Sequence, residues 1–383
     1  MTNQFDKTEV DTRFNSEVDI FGTNPSNEIR DQIGDETTEF NSLVTGVSYR
    51  YPIVAKKFFL DFNYNYRRDR RENQRNTFDI DPTTGDQDFN TDLSTDFTFI
   101  NIRSTPSIDL TYKRDKWSMS VETGFVTRTL ENSDALRPDL SLKRNFNAVE
   151  VNGNFNYRFS PKASMYSGYS LSNRPPQLQQ LNPFTDITNP LNLVTGNPEL
   201  KPSNRNRLYM GFNNFNFQKG TGIYSYLSGT LTSNEVVTKS VIDENLIRNT
   251  TYENVNGNYD LYASVSFSKD IKLDTVRTVR LRVNMGTNLR KAVNFFNEIK
   301  YSSLNTSYTP SLGLKFTWKD LFEIDPRYSI SITQSDFDID QFTDQNFIRH
   351  SLRLRTKTMV PKKLEWRNDI NYQYNPQVAE GFQ

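Results

Sequence analysis

The sequence predicts an all-β protein: an antiparallel transmembrane β-barrel with long extracellular loops and short periplasmic turns. Two observations predict it. Segments of about ten residues alternate between apolar and polar side chains, the period of a strand with two unlike faces. The connections between them alternate between tight turns and long polar loops, as in outer-membrane barrels. The stretch from Lys57 to Tyr66 sets the type, with Phe58, Leu60, Phe62, Tyr64 and Tyr66 on one face and Asp61, Asn63 and Asn65 on the other.

Composition bounds the alternatives. Hydrophobic residues make up 35% of the 383, and mean hydropathy is -0.72. No apolar run approaches the ~18 residues of a spanning helix. A barrel needs none, because only alternate residues of each strand face lipid. The 28 Phe and 19 Tyr suit aromatic girdles. Lys plus Arg and Asp plus Glu both number 46, so no bulk field favours nucleic acid as a partner. The absence of Cys excludes disulfides, thiolate metal sites and cysteine nucleophiles. MTNQFDKTEV shows no charged n-region followed by an apolar h-region, so a signal peptide is not expected here and the chain reads as an excerpt of a longer precursor.

In order, residues 1–39 read as a polar, loop-like lead-in to a single barrel domain spanning 1–383. Strand pairs follow at 40–51 with 57–67, 94–113 with 116–130, 146–159 with 163–172, and 206–217 with 222–234. Three more lie at 251–268 with 276–290, 303–318 with 327–335, and 346–358 with 363–375. The hairpin turns Lys113–Lys116, Ser160-Pro161-Lys162 and Gln218–Thr221 carry turn residues, whereas 68–93, 131–145, 173–205, 235–250 and 336–345 are long and polar. Within strands the faces stay separate: Val279, Leu281, Val283 and Met285 alternate with Arg280, Arg282 and Asn284. A one-residue slip would put such charges into lipid at ~2–4 kcal/mol each near the midplane. This makes about fourteen strands, an even number within the bacterial range. A chain that starts in a polar stretch and stops at Gln383 just after a strand reads as part of a wider barrel. A soluble propeller would repeat a recurring motif, and none is present.

One segment is more specific. After Tyr169 come Arg174-Pro175-Pro176, and Gly196-Asn197-Pro198-Glu199-Leu200-Lys201-Pro202 precedes the next strand at Leu208. This resembles the barrel region of TonB-dependent outer-membrane receptors, in particular the outer-membrane β-barrel family common in Bacteroidetes, whose members carry an RP…GNP-x-LKP loop at this place. The resemblance implies a bacterial outer-membrane location and a barrel of ~22 strands with a globular plug. It also implies nutrient binding and uptake, with a plug domain and a TonB-type energising complex as partners besides lipid. A plug is absent from these residues, so both partners would engage through a missing N-terminal part. A surface lipoprotein is a further candidate partner. Without any ligand, the prolines stiffen the loop and Gly196-Asn197 supplies turn geometry, a structural clamp.

Remaining chemistry is sparse. The one His, His350, shares the apolar register with Ile348, Leu352 and Leu354, while its neighbour Ser351 points to the other face. No base–nucleophile pair results, so the chain does not read as an enzyme, and no cofactor is implied. Arg280, Arg282, Arg349, Arg353 and Arg355 are expected to face the lumen, paired with carboxylates such as Glu365 and Asp369 or with a plug, or else free to favour anionic solutes. Acidic loop residues, Asp79, Asp81, Asp86, Asp88 and Asp92 in one loop and Asp336, Asp338, Asp340 and Asp344 in another, offer oxygen ligands for calcium without EF-hand spacing. Phe78, Phe89, Phe337 and Phe342 beside them are candidates for stacking on a sugar or peptide. The alternative to import is a plug-less barrel serving as a surface adhesion or assembly platform.

Overall fold

The computed structural model describes residues 2–20, 26–81, 83–187, 189, 191–244, 246–359 and 364–377. Its strands are β1 (Thr2–Ile20), β2 (Ser26–Val54), β3 (Phe58–Ile80), β4 (Gln87–Phe89), β5 (Thr95–Lys113), β6 (Trp117–Asp134), β7 (Leu142–Ser160), β8 (Ala163–Arg174), β9 (Thr185–Asp186) and β10 (Asn192–Thr195). They continue with β11 (Ser203–Asn216), β12 (Thr221–Ser233), β13 (Glu235–Ile242), β14 (Arg248–Val255), β15 (Asn258–Lys272), β16 (Arg277–Phe296), β17 (Ile299–Trp318), β18 (Phe322–Phe337), β19 (Gln345–Met359) and β20 (Glu365–Tyr374). A short α-helix, α1 (Leu178–Leu181), lies in the connection between β8 and β11.

A 16-stranded antiparallel sheet joins these in the order β1-β2-β3-β5-β6-β7-β8-β11-β12-β15-β16-β17-β18-β19-β20, with β4 added to β3. It is an up-and-down meander, the topology of a barrel wall. Among the described residues no helix is long and apolar enough to cross a membrane.

The register unites the faces that each strand shows separately. An apolar row runs Val283, Leu312, Tyr328, Leu352, Tyr372 through directly paired residues of β16 to β20. On the opposite face a polar row runs Asp61, Asp109, Glu122, Asn152, Ser170, Arg207, Thr230, Asp260, Arg290, Asn305, Ser335, Gln345. No apolar residue interrupts it. It begins near the short-turn end of β3 and reaches the long-loop end of β19, the stagger that tilted barrel strands require. The first face is the lipid face and the second lines the lumen.

At the periplasmic end, aromatic rings on the lipid face touch in sequence from strand to strand. Phe58–Tyr112, Tyr112–Trp117 and Trp117–Phe155 centroids lie 5.8, 5.2 and 6.1 Å apart, and Tyr157–Phe159 and Phe159–Phe212 lie 4.7 and 6.0 Å apart. Such a row forms an aromatic girdle, in which Tyr112, Trp117 and Tyr157 carry the polar groups that settle at the headgroup level.

Three expectations need correction. Residues 1–39 are not a loop: β1 pairs with β2 from Thr2↔Val44 to Ile20↔Ser26. Nor are residues 68–80, which extend β3 against β2 as far as Gln32↔Asp79. Outside the membrane a strand needs no apolar face, so the alternation that marks a spanning strand disappears. Polar cross-strand bonds take its place, such as Asn73 Nδ2 to Glu36 (2.6 Å), Asn76 Nδ2 to Asp35 (3.0 Å) and Gln32 Nε2 to Asp79 (2.7 Å). Finally, 235–250 is not a bare loop and 251–268 is not one strand. The chain leaves the wall at Asn234 (φ 54) and re-enters at Gly257 (φ 102), left-handed conformations that end one ladder and start another. Between them β13 and β14 form a hairpin that belongs to a separate 4-stranded sheet, β13-β14-β10-β9. Lys363, the expected start of the last strand, and the chain's end at Gln383 lie outside the described residues.

Candidate functional site

The RP…GNPELKP segment builds an extracellular cap. Its two ends meet, because Arg174 pairs with Ser203 as the last rung between β8 and β11. Pro175 and Pro202 flank that rung, and since proline has no N–H to donate, the ladder stops there on both strands.

Inside the cap each motif residue has a place. Gly196 donates its N–H to the Asn182 carbonyl (2.9 Å), and a Cβ at 196 would come within 2.2 Å of that oxygen. Asn197 donates from its backbone to Gln180 O (2.6 Å) and from Nδ2 to Tyr252 O (2.9 Å), while its Oδ1 accepts the Glu199 N–H (2.9 Å). Pro198 offers its carbonyl to Arg144 Nη2 (2.6 Å), and the same guanidinium pairs with Glu199. The backbone of Lys201 exchanges two hydrogen bonds with the Asn254 side chain, N–H to Oδ1 at 2.7 Å and Nδ2 to O at 3.0 Å. An Asn side chain thus stands in for one rung of a strand.

Leu200 is the hub. It is 3% exposed and packs with Leu130 and Leu181, surrounded by Phe99, Leu142, Phe146, Val236 and Tyr252. Leu130, Leu142, Phe146 and Phe99 share the lumenal register of β5 to β7, so the cap folds inward onto the lumenal side of the wall. β10 completes the cap by pairing in parallel with β14.

The five expected arginines share the polar face of β16 and β19. Arg280 holds Asp270 bidentately (2.5 and 2.8 Å), and Arg282 holds Asp325. Arg353 holds Asp369 through Nε (2.8 Å) and Nη2, with Arg355 3.4 Å from the same carboxylate. Arg349 has no ion pair among the described residues. Glu365 is engaged by Lys357 and Arg367 instead. This stretch of wall is therefore largely neutralised within itself.

The structure turns the acidic loops to local use. Asp79 accepts from Gln32 and Asn90, both at 2.7 Å, and Asp81 caps the Thr83 and Thr84 N–H groups at 2.7 and 3.0 Å. Those backbone bonds hold the Asp81 carboxyl below its ordinary range. Asp338 accepts from the backbone and hydroxyl of Ser302 (2.5 and 2.6 Å), which lowers its pKa in the same way. Among the described residues no three acidic or histidine side chains gather into a metal-holding group. The loop aromatics pack on one another, Phe78 on Phe89 (5.6 Å) and Phe342 on Phe296, Tyr301 and Phe337 (5.0, 5.2 and 5.4 Å). His350 lies on the lipid face between Tyr328 and Tyr374, its Nδ1 2.6 Å from the Tyr328 hydroxyl.

Sequence reasoning missed Arg144, Asn254 and a lumenal set of tyrosines. Tyr166, Tyr209, Tyr224, Tyr226 and Tyr262 lie on adjacent strands, with the Tyr166 and Tyr224 hydroxyls 3.1 Å apart and Arg207 donating to Tyr226 at 3.2 Å. Their polar-face register was readable from Ile223 and Leu227, which alternate with them. Arg144 and Asn254 had no local signal, because their partners lie more than fifty positions away.

The chain matches the profile of the outer membrane protein beta-barrel family over residues 2–367. No curated protein matches it. Among solved structures, the copper transporter OprC aligns with a TM-score of 0.54 at 10% identity, covering 90% of this chain and 51% of that one. A variant of the ferric enterobactin receptor PfeA from Pseudomonas aeruginosa aligns at 0.39 and 9%, covering 96% and 65%. The siderophore receptor PirA from Pseudomonas aeruginosa aligns at 0.36 and 9%, covering 97% and 77%. The chain spans about half the length of the structure with the highest of these scores, 51% of OprC.

Proposed function

The chain belongs to the outer membrane protein beta-barrel family, and from that premise we propose that it forms the wall and outer cap of a receptor that binds a nutrient at the cell surface and passes it inward. The observation that carries this reading is the cap's direction. A surface loop that served only adhesion has no reason to bury Leu200 against the lumenal side chains Leu130 and Phe146. A loop that meets a solute at the mouth of a lumen does. Capture would occur between the cap and the polar wall, and passage would follow release of that contact.

Import against a gradient needs a plug and an energising periplasmic complex of the TonB type, and we include both as partners of the full protein. The likeness with a TM-score of 0.54 bears the name of a copper transporter; the proposal takes from it nutrient import and not the identity of the cargo. Uptake fits a lumen wall that carries an unbroken polar row from β3 to β19, which offers a hydrated solute hydrogen-bonding partners on every strand it crosses.

The test compares cells with and without the gene in defined medium, measuring depletion of each solute over growth. At least one solute is expected to remain when the gene is absent and to disappear again on complementation. Identical depletion profiles would overturn import and favour a surface platform, the plug-less alternative.

A further inference from the structure

Beneath the cap, three arginines stand side by side on the lumenal wall. Arg67 of β3 is directly paired with Arg103 of β5, which is directly paired with Arg128 of β6. Like charges facing one another across adjacent strands repel, so such a row persists only where something negative joins it. Two carboxylates do so in part. Asp69 takes Arg67 Nε at 2.8 and 2.9 Å, and Glu150 takes Arg103 Nη2 at 2.7 Å.

The third arginine is left over. Arg128 is half-buried and has no hydrogen bond or ion pair among the described residues. Its surroundings are apolar: Val126 and Leu130 lie two residues to either side on the same face, 2% and 4% exposed, and Phe146 is its partner on β7. In addition Arg103 Nε is buried without an acceptor. Arg103 Nε is thus a buried donor without a partner, which calls for an explanation, and beside it the Arg128 guanidinium, reached by solvent, carries a charge that no carboxylate among the described residues pairs.

The row also opens on space. A cavity of about 400 Å³ is lined by Arg67 and Arg103 together with Ser107, Glu122 and Glu150, and Arg128 stands at the next place in the row, outside the lining. The row lies roughly ten residues from the periplasmic strand ends Phe58, Lys113 and Trp117, about the length of one membrane crossing. A solute entering under the cap therefore reaches this row before the rest of the membrane-embedded wall. Glu122 closes the lower edge of the cavity and is directly paired with Asp109, as Asp109 is with Asp61, so from there down the same wall takes the opposite sign.

We infer that Arg67, Arg103 and Arg128 form a binding site for an oxyanion, a carboxylate or phosphate group carried by the incoming solute. Guanidinium groups present paired N–H donors in a planar fork that fits two oxygens of one such group. The anion supplies the negative charge that Asp69 and Glu150 leave short and gives Arg128 and Arg103 Nε their acceptors. The acidic row below sets a step that the anionic group does not cross unaided, which holds the solute under the cap. The inference rests on the receptor reading for the source of the anion.

The test uses purified full-length protein in detergent, with inorganic pyrophosphate and tricarballylate as phosphate and carboxylate probes at fixed ionic strength. The readout is the unfolding midpoint followed by heat-modifiable migration. Either probe is expected to raise the midpoint of the native protein by several degrees. R128Q, which breaks no ion pair, should lose that shift, R128K should keep part of it, and R158Q at the periplasmic end of the same wall should keep it in full. An equal shift in R128Q, or no shift in the native protein with either probe, overturns the site. Oxyanion binding without any gene-dependent solute depletion would defeat the receptor reading while leaving the site in place; depletion without oxyanion binding would do the reverse.

Discussion

Tyr166 and Gly211 face each other across the β8–β11 ladder, and the phenol ring occupies the place a Gly211 side chain would take. A Cβ at 211 would lie 2.2 Å from Tyr166 Cζ. Two rungs away on the same face the arrangement is reversed, with Tyr209 over Gly168 and its hydroxyl 2.4 Å from where a Cβ would stand. Each ring covers the bare backbone of the opposite strand and reaches a polar partner, Tyr209 donating to Asn154 Oδ1 at 2.8 Å.

This reciprocal fit predicts that G211A is destabilising by about 1–3 kcal/mol, the usual cost of forcing a methyl into filled space. Adding Tyr166→Ala should recover part of the loss, because the clashing ring is gone, so the two changes will not add. Urea unfolding of the protein in lipid vesicles measures both. Full additivity of the double variant would refute the packing account.

The lipid and lumenal faces were legible from period alone, and so were fourteen strand positions, because in the membrane the cost of a misplaced charge keeps the alternation strict. Legibility ended where that cost ends. β1 and the upper halves of β2 and β3 stand in water, so Glu36, Asp35 and Asn73 gave no apolar rhythm and read as loop. The break at Asn256-Gly257 was hidden because β14 and β15 share one strand-like texture. In the cap, the proline and glycine positions were readable, but Leu200 as the centre of a small core was not, since its neighbours Leu130, Leu181 and Phe146 come from distant segments. The Arg67, Arg103, Arg128 row was invisible for the same reason: it exists only once the register of three strands is known.

The cap should open as a unit. Leu200→Ala removes the side chain shared by Leu130 and Leu181, and burial of this kind is worth about 2–5 kcal/mol. The cap hydrogen bonds then lose the apolar contact that shields them from water, so residues 178–202 are expected to exchange amide protons faster while β5 to β8 keep their protection. Hydrogen exchange read by mass spectrometry distinguishes this from global unfolding, in which the wall would lose protection too.

The loop after β18 should loosen in acid. Ser302 donates two hydrogen bonds to the Asp338 carboxylate and holds its pKa below the ordinary 3.8. A carboxyl depressed in the folded state contributes stability that is present above its unfolded pKa and is lost as pH falls through the folded value. Protection of the Ser302 amide should therefore be constant at neutral pH and decline only below about 3.8. D338N should start with weaker protection and show no such decline. A decline centred near neutrality would assign it to another group.

The assignment of faces makes the sharpest demand on neighbouring positions. Val283 sits in the apolar row with Leu312, whereas Asn284 is paired with Ser311 on the polar face, its Nδ2 bonded to that hydroxyl at 3.0 Å. Val283→Arg places a guanidinium against lipid, which costs about 2–4 kcal/mol near the midplane and less toward the interfaces. Asn284→Arg places the same group in a polar lumen beside Arg282, where only local repulsion and the loss of one hydrogen bond oppose it, on the order of 1 kcal/mol. The two variants differ by one residue in sequence and by the thickness of the wall in environment. Refolding into vesicles, followed by urea titration, should rank V283R well below N284R. Equal stabilities, or the reverse order, would mean that the wall had been turned inside out.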